Sequence, residues 1–270
     1  MDPYAARRRR RPLLKLLAAA VTSLVLTMPL RAGAEPPLIA AASDLQFALE
    51  EVARAFSART GRQVKLSFGS SGNFARQIRQ GAPYQMFFSA DEQYVLDLAR
   101  DRFARDEGAL YAVGRIVLLT PRGSSLQADG SLADLRAALA DGRLKKFAIA
   151  NPEHAPYGRR AEEALRHAGL WDAIRGRLVL GENVSQAAQF AVSGSTQGGI
   201  IAYSLALSPK VSARGEYALI TAQWHRPLRQ RMALLNPAGP VAEEFFRFAQ
   251  EDPARAIFRK HGFALAGEAS

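Results

Sequence analysis

The sequence predicts an α/β fold, and three observations carry that prediction. From residue 35 onward, short apolar runs of strand length alternate with amphipathic segments of helical period. The junctions where a run feeds a helical segment repeatedly carry small hydroxyl residues, at Ser43, Ser70-Ser71, Ser89 and Ser185. The 270 residues leave about 236 after the first 34, enough for a sizeable core in one lobe or in two.

The elements follow in order. Leu38-Ile39-Ala40-Ala41-Ala42 is a buried strand, and Leu45, Leu49, Val52 and Phe56 then recur at helical spacing until Gly61. Val64, Leu66 and Phe68 alternate as a second strand, broken by Gly69-Ser70-Ser71-Gly72 before a helix through Phe74 and Ile78 that stops at Gly81. Met86-Phe87-Phe88 is a short strand, followed by a helix through Val95 and Leu98. Residues 116–119 form an apolar run ending at Pro121, 132–139 a helix, 147–150 a strand and 160–168 a helix. A strand at 178–180 leads through Gly181-Glu182-Asn183-Val184-Ser185 into a helix through Phe190, and 199–203 is again strand-like. Residues 232–235 make the last strand, before helices over 241–248 and 254–261. No Pro-, Gly- or Ser-rich linker marks a single cut, which favours a chain that passes between two lobes twice.

The net charge of +11 is concentrated at the start, where Arg7 to Arg11, Lys15 and Arg31 face Asp2 alone. The remaining charges are mixed along helices, with no basic stripe interleaved with aromatics, so a nucleic-acid partner is not expected. Residues 1–34 read as a cleaved export signal: a positive stretch, an apolar run from Leu13 to Leu30, and Ala32-Gly33-Ala34 before Glu35. Apart from Lys15, that run is shorter than the ~20 residues a spanning helix needs. Arg10-Arg11-Pro12-Leu13-Leu14-Lys15 resembles a twin-arginine signal, so general secretion and the twin-arginine route both stay open. The chain has no cysteine, hence no disulfide and no site for a lipidated cysteine.

The junction serines are the candidate chemistry. A strand end feeding a helix presents unpaired N–H groups and the positive end of the helix dipole, an arrangement suited to anions. Any one such Ser is also an ordinary N-cap, so only convergence of several on one cleft makes a site. Other chemistries lack their patterns. His154, His167, His225 and His261 form no metal-binding spacing, and Gly69-Ser70-Ser71-Gly72 is not a nucleophile elbow. There is no phosphate-binding or dinucleotide loop, so no cofactor is expected. Glu50-Glu51, Glu162-Glu163 and Glu243-Glu244 are adjacent pairs on solvent-facing helices. A secreted serine-dependent enzyme using Ser43 or Ser71 would need a base that no motif supplies.

Ala40-Ala41-Ala42-Ser43, Phe68-Gly69-Ser70-Ser71-Gly72, Ala75-Arg76-Gln77-Ile78, Gly81-Ala82-Pro83 and Phe88-Ser89-Ala90-Asp91 occur in that order. Asn151-Pro152-Glu153-His154-Ala155-Pro156-Tyr157-Gly158, Gly181-Glu182-Asn183-Val184 and Arg259-Lys260-His261-Gly262-Phe263 continue the series. Together they resemble the periplasmic molybdate-binding proteins of ABC importers, over nearly the whole chain after residue 34. The resemblance implies a type II periplasmic binding protein fold: two lobes, two mixed sheets flanked by helices, and two crossovers. One lobe would take residues 35–116 and 229–270, the other 117–228. It implies a non-enzymatic receptor that captures molybdate or tungstate for an inner-membrane ABC permease. Without a cysteine for a lipid anchor the protein is expected to be freely soluble in the periplasm, and a monomer is expected because symmetric association would add nothing to a shuttle. Sulfate and phosphate are the rival ligands.

Carried over by position, the resemblance implies oxyanion contacts from the hydroxyl and amide of Ser43 and of Ser71, and from the amides of Tyr157 and Val184. The family often adds a tyrosine hydroxyl from a strand that here reads Gly199-Ile200-Ile201-Ala202, with Tyr203 one place late and so on the opposite face. Either Tyr203 is reached through a bulge, or Tyr157 supplies that hydroxyl, or the contact is missing. Asp44 is expected to be a first-turn residue favoured by the dipole rather than a group facing the ligand.

Overall fold

The computed structural model describes residues 35–265 and 267; the export signal read in residues 1–34 lies outside them. The chain opens with β1 (Leu38–Ala42), a 3-10 turn (Ser43–Leu45) and α1 (Gln46–Thr60). It continues with β2 (Lys65–Gly69), α2 (Ser71–Arg79), β3 (Met86–Ser89), α3 (Glu92–Arg100) and β4 (Ala109–Gly114). Then come β5 (Ile116–Pro121), α4 (Ala133–Ala140), β6 (Phe147–Ala150), α5 (Pro156–His167) and α6 (Trp171–Ile174). Next are β7 (Leu178–Gly181), α7 (Val184–Val192), β8 (Gly199–Ala202), α8 (Tyr203–Ala206), α9 (Pro209–Ser212) and β9 (Gly215–Leu219). The last elements are β10 (Leu228–Leu234), α10 (Pro240–Phe248) and α11 (Asp252–Lys260).

These strands form two five-stranded sheets, ordered β2-β1-β3-β10-β4 and β7-β6-β8-β5-β9. Each is mixed. β1 runs parallel to β2 and β3, and β6 parallel to β7 and β8. β10 and β5 run antiparallel to both of their neighbours. The chain leaves the first sheet after Gly114, enters the second at Ile116, and returns between Leu219 and Leu228. Each sheet with its helices has its own core, and we call these units lobes. The first packs Leu45, Leu49, Val52 and Phe56 of the opening helix against Phe245, Phe248 and Phe258. The second packs β5, β6 and β8 against Leu135, Leu165 and Ala187.

The local sequence explains most of these elements. β1 and β6 are continuously apolar because parallel strands are covered on both faces. Gly61 ends α1 with φ of 70°, the left-handed conformation that glycine adopts without strain. Pro156 sits in the first turn of α5, where its missing N–H costs nothing. α5 therefore begins four residues before the predicted helix at 160. β10 likewise begins at Leu228 rather than Met232. β4 and β9 have no counterpart in the sequence reading. Tyr203 is not the end of a strand: β8 stops at Ala202 and Tyr203 opens α8.

Gly158 lets α5 approach β6. A methyl there would come within 2.2 Å of the Ala150 carbonyl oxygen and 2.9 Å of the Asn151 carbonyl carbon, both backbone. Gly158→Ala should therefore cost about 1–3 kcal/mol, the usual range for overpacking, measured by denaturant unfolding.

Candidate functional site

The C-terminal ends of β1, β2, β6 and β7 meet where the two lobes face each other, and the turns that follow them enclose one small cavity. Its walls are Ala42, Ser43, Asp44, Gly69, Ser70, Ser71, Ala90, Ala155, Pro156, Tyr157 and Val184. Ser43 opens the 3-10 turn, Ser71 is the first residue of α2, Tyr157 the second of α5 and Val184 the first of α7. Backbone N–H groups at these positions have no partner within their helices. Four of the five residues singled out in the sequence, Ser43, Ser71, Tyr157 and Val184, thus line one space. Two come from each lobe.

The serine hydroxyls are set to donate. Ser71 Oγ accepts the Ala90 N–H at 3.0 Å, and Ser43 Oγ accepts the Ser185 N–H at 3.3 Å. Each oxygen is thus engaged as an acceptor and keeps its proton to give to the cavity. No Lys, Arg or His lines the space. Its volume is about 10 Å³, near the smallest that holds one water-sized body. A tetrahedral oxyanion is larger, so accommodating one means parting walls that stand on separate lobes.

Tyr203 lies elsewhere. Its N–H donates to the Arg115 carbonyl at 2.9 Å. Its ring sits under the Arg115 guanidinium, 4.6 Å from the centroid, and against Tyr217. Tyr203 therefore belongs to the crossing between the lobes and does not line the cavity. The Tyr157 hydroxyl is also spent: it donates to Asp44 Oδ2 at 3.0 Å and accepts from Gln230 Nε2 at 3.1 Å. Tyr157 lines the cavity with its hydroxyl turned to Asp44 and Gln230.

Asp44 departs from the sequence reading. It is the expected first-turn acid, but it is 1% exposed and lines the cavity, because the turn after β1 is a tight 3-10 turn that tucks it under β10. Oδ2 accepts from Gln230 Nε2 at 2.7 Å as well as from Tyr157, while Oδ1 has no partner. Gln230 Oε1 in turn accepts from the Tyr111 hydroxyl at 2.7 Å. Burial pushes the Asp44 carboxyl up to about 6, against the opposing pull of Gln230 and Tyr157. Burial, and the charge of Asp44, push both phenols well above their usual range.

Sequence reasoning missed Gln230 and Tyr111. Gln230 had a readable signal, since Leu228, Gln230 and Met232 alternate on one buried face of β10. A polar residue at such a position needs a partner. The rim holds further contacts between the lobes. Arg160 of α5 pairs with Asp91 at 3.2 Å, Arg159 bonds Tyr94 at 2.7 Å, and the Gly72 N–H donates to the His154 carbonyl at 2.9 Å. Ser70 Oγ meets His154 Nδ1 at 2.9 Å, with Glu182 3.5 Å from Nε2. This trio ties the turn after β2 to the turns after β6 and β7.

A raised carboxyl pKa makes the folded state prefer the proton. Stability is therefore full below the unfolded value near 4 and is lost as pH rises to about 6. Asp44→Asn keeps an acceptor for Tyr157 and Gln230 and cannot ionise. Between about pH 4 and pH 7 the wild type should lose up to about 3 kcal/mol relative to this variant, read from paired unfolding curves.

The family profile described as bacterial extracellular solute-binding protein matches residues 37–264. The molybdate-binding protein ModA of Rhodobacter capsulatus is 31% identical over 254 residues, covering 91% of this chain and 94% of the relative. The Escherichia coli ModA is 29% identical, covering 93% of this chain and 98% of the relative. The solved periplasmic molybdate-binding protein of Azotobacter vinelandii superposes with a TM-score of 0.77 at 30% identity, over 85% of this chain and 99% of that one. The chain is thus a binding protein, not an enzyme, and it belongs to the family of bacterial extracellular solute-binding proteins.

Proposed function

We propose that this protein captures molybdate or tungstate between its lobes in the periplasm and hands the ion to an ABC importer. One observation carries the reading: four helix starts from two lobes, two of them with serine hydroxyls free to donate, border one small cavity without a basic side chain. Such a cavity suits an anion held by oriented N–H and O–H groups. Hydrogen bonds to a charged group are stronger than neutral ones, and helix ends add positive potential without the desolvation cost of a buried cation. The similarity to ModA proteins supports molybdate as the ion. Ser43, Ser71, Tyr157 and Val184 are the ligand contacts in this reading. Delivery follows opening of the lobes about the two crossings, with residues 1–34 removed on export.

Asp44 gives a phosphate reading its one point of support, because an ionised carboxylate accepts a hydrogen bond from a protonated oxyanion. A thermal-melt screen separates the two. Molybdate and tungstate at about a thousandfold excess over Kd should stabilise the protein by roughly 4 kcal/mol, on the order of 10 °C, and sulfate and phosphate should not. A shift with phosphate alone would replace molybdate as the ligand, and no shift with any of the four would sink the oxyanion reading. Ser43→Ala and Ser71→Ala should each weaken molybdate binding about tenfold to a hundredfold, the loss of one hydrogen bond to a charged group, measured by calorimetric titration.

A further inference from the structure

Asp44 has no role in oxyanion capture as described so far, and a negative carboxylate in the wall of an anion cavity opposes it. Three structural facts define its situation. It lines the cavity from within the first lobe. Its Oδ2 is saturated as an acceptor by Gln230 at 2.7 Å and Tyr157 at 3.0 Å. Its Oδ1 is buried and unpartnered. A buried, unsatisfied atom of a charged group is costly unless a partner or a proton arrives.

We propose that Asp44 takes up a proton from solvent when the oxyanion binds, holding it on Oδ1 as a donor toward the ligand. Each dianion then enters with one proton, and Asp44 sets the cavity's preference for proton-free over proton-bearing oxyanions. This rests on the oxyanion-receptor reading and adds a selectivity residue to it.

The chemistry balances simply: carboxylate, solvent proton and dianion become a carboxylic acid hydrogen-bonded to the dianion. Oδ1 is the atom that receives the proton, because one of the two donors on Oδ2 would have to be displaced for it to bind there. The acid form satisfies Oδ1 only if an acceptor lies across from it, and a dianion is an acceptor. A hydrogenphosphate that presented its own proton would meet a second donor instead.

The groups facing Asp44 leave it as the titrating centre. From α5 and β4 come the phenols of Tyr157 and Tyr111, both displaced upward and neutral at ordinary pH. β10 contributes Gln230. α8 contributes Ser204, whose hydroxyl donates to the Asp44 carbonyl at 2.8 Å. Ser185 of α7 bonds the neighbouring Ser43 carbonyl. Among the described residues no Lys, Arg or His hydrogen-bonds or ion-pairs with the Asp44 carboxyl. His154, which does not line the cavity, is engaged by the Ser70 hydroxyl at 2.9 Å.

The direction of the pH effect follows. The free carboxyl titrates at about 6, and a neighbouring dianion raises it further because like charges disfavour ionisation. Affinity is therefore full below about pH 6 and falls as pH rises toward the ligand-bound value, by up to about tenfold per unit.

The test is calorimetric titration of the purified protein with molybdate near pH 7 in two buffers of different ionisation enthalpy, repeated from about pH 6 to about pH 8, where molybdate stays fully deprotonated. The expected result is net uptake approaching one proton per molybdate, and a Kd that weakens by about tenfold to a hundredfold across the range. Asp44→Asn should bind with no proton uptake and a flat pH profile. Tyr157→Phe, which removes one hydrogen bond that favours the carboxylate, should move the uptake midpoint upward. Molybdate binding without proton uptake in the wild type, or undiminished uptake in Asp44→Asn, overturns the proposal and leaves the receptor reading intact. Failure of the wild type to bind either molybdate or tungstate removes the receptor reading, and the proposal falls with it.

Discussion

Everything at the site depends on one constraint: unpaired N–H groups must be brought to a common point from two separate sheets. A single helix start offers a few donors and a fraction of a charge. Four starts facing one space offer enough to surround a small ion. The sheet topology makes this possible. In each lobe the parallel trio, β2-β1-β3 or β7-β6-β8, sends its strand ends the same way. The turns after those strands are where ligands of open α/β sheets bind. Facing two such edges across a cleft doubles the donor count without lengthening any loop.

Closure then has to hold those edges in register, and the Asp44 network is central to that. It joins the turn after β1 to α5 of the other lobe through Tyr157, and to β10 and β4 through Gln230 and Tyr111. β10 and β4 flank the two crossings. Gly114, the last residue of β4, leaves room for this: a side-chain carbon there would stand 2.3 Å from the Tyr157 hydroxyl and 2.7 Å from Gln230 Nε2. The carboxyl at the cavity wall is thus wired to the segments about which the lobes turn. The rim pairs, Arg160 with Asp91 and Arg159 with Tyr94, add contacts that exist only while the lobes are together. Removing one partner of a pair as buried as Arg160 leaves a charge stranded, so these contacts align closure as much as they stabilise it.

Most of the architecture was legible because it rests on periodicity. The buried parallel strands read as continuous apolar runs, and α1, α3 and α7 as apolar stripes at helical spacing. β4 and β9 escaped because their half-buried residues mix polar and small apolar side chains. The starts of α2 and α5 were read late because Ser71-Gly72-Asn73 and Pro156-Tyr157-Gly158 are weak helix formers, placed there by capping and by close approach rather than by propensity. At the site, the junction serines were visible one by one, but their convergence is a property of the folded chain. Tyr203 was misplaced because a strand was extended one residue into the helix that follows it. Asp44 was misread because local rules favour an acid in a first turn. Nothing local reveals that β10 will pass over that turn and bury it.

The absence of a cation from the cavity wall has a consequence for release. A Lys or Arg facing the ligand would attract it strongly, and the same charge would oppose its departure once the lobes opened. Hydroxyls and backbone N–H groups are different. With the lobes closed and water excluded they act in a low dielectric and hold an anion well. With the lobes parted, half of them leave with the other lobe, and water competes for the rest. Ser43 and Ser71 travel with the first sheet, the Tyr157 and Val184 amides with the second. In the proposed function, affinity is therefore a property of the closed arrangement alone, so a partner that pries the lobes apart would discharge the ion without having to neutralise a charge.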